Sequence, residues 1–280
     1  GVSAADKVEK LLDIDTARPC HPGLPRQNRP FDGIRLEHIS FGYQGRQAAL
    51  RDVSLDVPRG KTVALVGLSG SGKSTIASLL MRFYDLEQGR ILLEGWDYTS
   101  FPPEELRKRV ILVPQSVSLF SGTIAENLRM ASPNATRGDM LEALDQVRLG
   151  DWVRTQPLGL DTPVGDAGAK LSGGQRQKLG IARALLCRAE YIIFDEATSS
   201  VDMESEREIW NCIEELAQTR TLVLISHRLS TIRSADVIYV LENGAIAQHG
   251  SHGELMAEPG LYRRLVEEQA QLERKGEEGL

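Results

Sequence analysis

An apolar run, Val63 to Val66, ends at Gly67, and Ile76, Leu79, Leu80 and Phe83 then follow at i, i+3, i+4 and i+7. The order is strand, glycine-rich turn, amphipathic helix. Between strand and helix, Gly67-Leu68-Ser69-Gly70-Ser71-Gly72-Lys73-Ser74 fits the phosphate-binding pattern GxxxxGK[ST]. No other feature constrains the fold so tightly, because this loop works only where a strand feeds the N-terminus of a helix. Glycines let the backbone wrap so that successive N–H groups converge on phosphate oxygens, where the helix end favours an anion. Gly67, Ser69, Gly70, Ser71, Gly72, Lys73, Ser74 and Thr75 are therefore candidate nucleotide contacts. Lys73 would reach the β- and γ-phosphates, and the Ser74 hydroxyl would bind Mg²⁺. A flexible Gly/Ser turn with an exposed lysine is the ordinary alternative, and the flanking strand and helix argue against it.

The rest of the chain supplies a matching frame. Strand-like segments run over Ile34 to Phe41, Val53 to Val57, Val110 to Val113, Tyr191 to Phe194, Thr221 to Ile225 and Val237 to Leu241, with helical stretches between several of them. This alternation predicts an α/β fold with a mostly parallel sheet covered on both faces. Between about residues 116 and 186 the apolar runs are helical, around Leu141 to Val147 and Ile181 to Leu186, which predicts an inserted α-helical subdomain. Asn243-Gly244 is a hairpin signal. Residues 1–15 have helical spacing, and Pro19, Pro22, Pro25 and Pro30 make a linker up to residue 30. Residues 31–265 then form the main domain, and 266–280 a helix end with a charged tail that frays after Gln271. Gly1 reads as the cut end of a longer chain.

A hydrolase acting on a bound nucleotide needs a second Mg²⁺ contact and a group that orients water. Tyr191-Ile192-Ile193-Phe194-Asp195-Glu196 offers both at the carboxyl end of a buried strand, the edge where ligands bind in such sheets. Neighbouring residues on a strand point to opposite sides, so the two carboxylates can hold different posts. Asp195 is assigned to the Mg²⁺ shell and Glu196 to the attacking water as general base. His227 and Gln115 also follow strands and would share that edge. There His227 would sense the γ-phosphate by a hydrogen bond, and Gln115 would act through Mg²⁺ or water.

Leu171-Ser172-Gly173-Gly174-Gln175 opens a second glycine-rich helix start. Ser172 and Gln175 are also spaced as a capping box, so an ordinary helix cap and an anion site account equally well for the string.

With these motifs placed, the chain resembles the ABC ATPases. The P-loop, Gln115, the LSGGQ string, IIFDE, Ser199-Ser200-Val201-Asp202 and His227 stand in that family's order over about residues 31–265. The resemblance implies a P-loop NTPase core with an N-terminal antiparallel β subdomain, and a head-to-tail dimer with a second ABC ATPase domain, as a homo- or heterodimer, in which Ser172, Gly173, Gly174 and Gln175 of one subunit close over ATP held by the P-loop of the other. It further implies that Tyr43 stacks on adenine and that Asp202 couples the two sites. Residues 1–30, the string SLFSGTIAENL and the loop Thr162 to Gly168 are similar to the exporter branch, whose ATPase sits on the cytoplasmic face of the membrane joined to transmembrane domains. Pro163, Asp166 and Ala167 depart from that branch's TEVGERG-like loop; Asp166 keeps one acidic group there.

Other classes fit less well. The formal charge of −6 argues against a nucleic-acid partner, and the cysteines Cys20, Cys187 and Cys212 have no metal-like spacing. A soluble ABC ATPase would commonly carry an internal coiled coil or a second ATPase domain. An importer subunit would begin near the first strand, and a P-loop kinase would leave LSGGQ unexplained.

Overall fold

The structure is a computed structural model and describes residues 31–43, 48–197, 201–226 and 232–278, with side chains to residue 271. Strands β1 (Gly33–Gly42), β2 (Ala48–Pro58), β4 (Gln88–Leu93) and β5 (Trp96–Asp97) pair antiparallel in the order β2-β1-β4-β5. The second sheet contains β3 (Thr62–Gly67), β6 (Val110–Val113), β7 (Tyr191–Asp195), β8 (Thr221–Ile225), β9 (Val237–Glu242) and β10 (Ala245–Gly250) in the order β10-β9-β3-β8-β7-β6. Its strands are parallel except β10, which returns antiparallel on β9. Asn243 and Gly244 make that return with φ of 51° and 82°, the positive pair a two-residue hairpin requires.

Every residue of β3 and β8 is buried, as expected of strands covered on both faces. The pleat divides β3 between two cores. Val63 and Leu65 face Ile76 and Leu80 of helix α1 (Lys73–Leu80) and the antiparallel sheet; Ala64 and Val66 face the other core, which includes the helical insert. Helix α2 (Pro103–Arg109) leads into β6. The insert holds α3 (Ile124–Arg129), α4 (Arg137–Gln146), α5 (Gly150–Thr155) and α6 (Gly173–Leu186). Helix α7 (Met203–Ala217) precedes β8, and α8 (His252–Ala257) and α9 (Leu261–Glu278) follow the sheet. Each fully buried Leu, Ile or Val in these cores contributes about 1.5–3 kcal/mol.

Three sequence expectations need correction. Helix α1 stops at Leu80, so Phe83 lies beyond it and is 42% exposed. The stop is a Schellman motif: the Phe83 amide donates to the Ser78 carbonyl at 2.9 Å and the Arg82 amide to Leu79 at 2.9 Å, with Arg82 at φ 51°. Glycine usually marks such a stop; here Arg82 is held by donating to the Phe101 carbonyl at 2.7 Å. Strand β2 begins at Ala48 rather than Val53, and β4 and β5 escaped the periodicity. Helix α9 continues past Gln271 to Glu278, in a stretch whose Glu, Arg and Lys are good helix formers. Residues 1–30, read as helix and linker, lie outside the described residues. No helix among the described residues is long and apolar enough to cross a membrane.

Candidate nucleotide site

Strand order brings the P-loop and the acidic pair together. Ile225 of β8 pairs with Leu65 of β3 on one side and with Asp195 of β7 on the other. Gly67 and Asp195 therefore end strands on either side of β8 at the same edge. Ser74, in the first turn of α1, spans the interval and its hydroxyl donates to Asp195 Oδ1 at 3.3 Å. Glycine is required at two loop positions: a Cβ on Gly67 would stand 2.3 Å from the Leu241 carbonyl oxygen, and one on Gly72 2.6 Å from Leu50 Cδ2. Gly72, at φ 109°, begins α1 without a side-chain cap.

Lys73 is only 5% exposed, and its Nζ donates to the Gly67 and Leu68 carbonyls at 2.9 Å each. Burial lowers its pKa from the usual lysine value, while the nearby carboxylates of Glu196 and Asp195 oppose that shift. Glu196 follows β7 in the left-handed region at φ 49°, held there by its amide donating to the Ile225 carbonyl at 2.8 Å. A non-glycine residue in that region carries about 1–3 kcal/mol of strain, of the kind found at functional sites. It turns Glu196 toward the P-loop, where it lines a cavity of about 260 Å³ with Tyr43, Ser69, Gly70, Gly72, Lys73, Ser74 and Thr75. Tyr43 donates to, or accepts from, the Thr75 hydroxyl at 3.2 Å, and its ring stands edge-on to Phe41 and Tyr84 at 5.2 Å. A larger cavity of about 570 Å³, between α4 and the end of α6, contains none of these groups.

The other predicted residues lie apart from this cavity. Gln115 is exposed two residues after β6, whose Val113 pairs with Phe194, so it sits at the same sheet edge. Ser172 caps α6 through the full capping box: its hydroxyl accepts from the Gln175 amide at 3.2 Å, and its own amide donates to Gln175 Oε1 at 2.9 Å. Gly174 packs against Ser205, whose Oγ would lie 2.4 Å from a Cβ there. Asp202 caps α7 by accepting from the Ser205 amide at 2.9 Å, and the Ser205 amide and hydroxyl hold its carboxylate below the usual range. Ser205 thus joins Asp202 to Gly174, a contact the sequence did not signal. Asp166 accepts from the Ser121 hydroxyl at 2.9 Å, tying the Thr162 to Gly168 loop to the SLFSGT string. His227, Ser199 and Ser200 lie outside the described residues.

Mg²⁺ binds few protein oxygens and usually shares its shell with substrate phosphates. A hydroxyl and a carboxylate oxygen 3.3 Å apart at the P-loop fit that demand.

The family profile for ABC transporters matches residues 50–199. The ATP-dependent lipid A-core flippase of Photobacterium profundum is 45% identical over 267 residues, 95% of this chain and 45% of the relative. That of Salmonella paratyphi A is 44% identical over 267 residues, 95% of this chain and 46% of the relative. Among solved structures, a bacterial Atm1-family ABC exporter with ATP bound superposes with a TM-score of 0.84 at 39% identity, over 95% of this chain and 47% of that one. The chain therefore spans about half the length of the relatives it matches. It belongs to the ABC transporter family, as an ATP-binding ATPase domain of that family.

Proposed function

We propose that this chain is the motor of an exporter-type transporter: two copies close head-to-tail around two Mg-ATP, hydrolyse them, and drive translocation by attached transmembrane domains at the cytoplasmic face of a membrane. The observation that carries the reading is the cavity in which Lys73, Ser74 and Glu196 meet, with Asp195 in contact with Ser74. Residues 31–265 would form the ATPase domain. Lys73 and the P-loop amides would bind the phosphates, Tyr43 would stack on adenine, and Ser74, Asp195 and Gln115 would hold Mg²⁺. Bound there, Mg²⁺ neutralises phosphate charge. Glu196 would take a proton from the attacking water and aim it at the γ-phosphorus, with His227 donating to the γ-phosphate. The relatives are named as flippases and an exporter, which favours this branch over an importer subunit.

Two glycine-rich helix starts on one chain make sense if a two-fold axis gives each ATP one of each. In the Ser172 loop, a cap and an anion contact can then be separated by experiment. Asp caps a helix as well as Ser does, but it would set a carboxylate against the triphosphate. Ser172→Asp is expected to keep the melting temperature and to abolish the ATP-induced dimer seen by sedimentation in a Glu196→Gln background. An ATP-induced dimer of undiminished affinity in Ser172→Asp would refute the head-to-tail arrangement.

A further inference from the structure

One stripe of α6 grips the segment that carries Gln115. Gln177, 3% exposed, donates from Nε2 to the Pro114 carbonyl at 3.1 Å. Gly180 lies so close to Val117 that a Cβ would stand 2.4 Å from Val117 Cγ2. Arg183 donates from Nη1 to the Ser118 carbonyl at 2.8 Å and from Nε to the Asn127 carbonyl at 2.9 Å. Positions spaced by three lie along one side of a helix, so three contacts from one rigid element bracket Gln115. Asn127 secures the far end: its Nδ2 donates to the Phe120 carbonyl at 2.9 Å, and its Oδ1 accepts from the Phe120 amide at 3.0 Å.

The same helix begins at Ser172, and Gln177 is about 7–8 Å from that end along the axis at 1.5 Å per residue. A buried amide gains little over an apolar side chain in net stability, but it fixes the direction of one bond. Gln177 spends that bond on the residue immediately before Gln115.

We infer that Gln177, supported by Gly180 and Arg183, is a positioning residue for ATP hydrolysis, tying Gln115 to the Ser172 helix so that the two move together. This rests on the reading of Gln115 as a contact of the ATP site. Under head-to-tail pairing, α6 then joins the chain's own phosphate site to the one its Ser172 loop closes in the other copy. Docking of Ser172 and presentation of Gln115 become one movement.

The test is Gln177→Met in the 280-residue chain, a swap that keeps side-chain length and removes the donor. Turnover is expected to fall about tenfold, the worth of one directed hydrogen bond, while Mg-ATP affinity in a Glu196→Gln background stays within about twofold. Amide exchange across residues 115–120 should quicken, and Gln177→Met should add nothing to Gln115→Ala. Wild-type turnover in Gln177→Met beside a slow Gln115→Ala would overturn the positioning role, as would full additivity of the two. Wild-type turnover in Gln115→Ala would instead remove the premise on Gln115, leaving the Glu196 assignment standing. If Gln177→Met fails to fold, Gly180→Ala replaces it: its methyl wedges Val117, turnover should drop, and Val117→Ala should restore it. Failure of that rescue overturns the inference.

Discussion

Replacing Glu196 by Gln is expected to slow ATP turnover by about a hundredfold to ten-thousandfold while leaving Mg-ATP bound, the usual loss when a positioned general base is removed. Gln keeps the shape and hydrogen-bonding reach of the side chain and takes away its capacity to accept a proton. The backbone at this position is in the left-handed region at φ 49°, and the hydrogen bond that its amide donates to the Ile225 carbonyl does not depend on the side chain. The fold should therefore survive, and loss of one negative charge beside the phosphates should if anything tighten binding. Single-turnover kinetics with a nucleotide-binding titration check both halves. Turnover at the wild-type rate would remove Glu196 from the role of base.

Lys73→Ala should act on the other half of the cycle. Lys73 is buried at the base of the loop, with its ammonium on the Gly67 and Leu68 carbonyls and near both carboxylates. Losing its charge-assisted bonds to phosphate should cost about 2–3 kcal/mol, roughly 30- to 150-fold in Kd. Lys73→Met separates charge from packing, because it keeps most of the buried stem. Equal weakening in both variants assigns the effect to the ammonium. An ATP affinity unchanged in Lys73→Met would count against phosphate binding by this residue.

The local parts of the site were legible in the sequence. A P-loop, an acidic strand end and a capping box each occupy a few consecutive residues, and the burial of β3 and β8 shows as unbroken apolar runs. Strand order was harder, since the pairing of Ile225 with both Leu65 and Asp195 joins segments far apart in the chain. The resemblance to a family supplied the head-to-tail use of Ser172, which the string alone left open between cap and anion site. The structure shows the cap in place, and a cap does not exclude the anion contact. What periodicity missed has physical reasons. Helix α1 stops at Leu80 because Arg82, two residues on, takes the left-handed conformation usually marked by glycine, so the pattern ran on to Phe83. The hold of Gln177 on Pro114 and the contact of Ser205 with Gly174 are tertiary, and nothing in local composition announces them.

The central claim is that each ATP is hydrolysed between the P-loop of one copy and the Ser172 loop of another. The dependence of specific ATPase activity on chain concentration tests it most directly. Shared sites predict activity per chain that rises with concentration and then levels off as the dimer fills. Equal specific activity across the whole range, with a chain that remains monomeric in the presence of ATP, would contradict it.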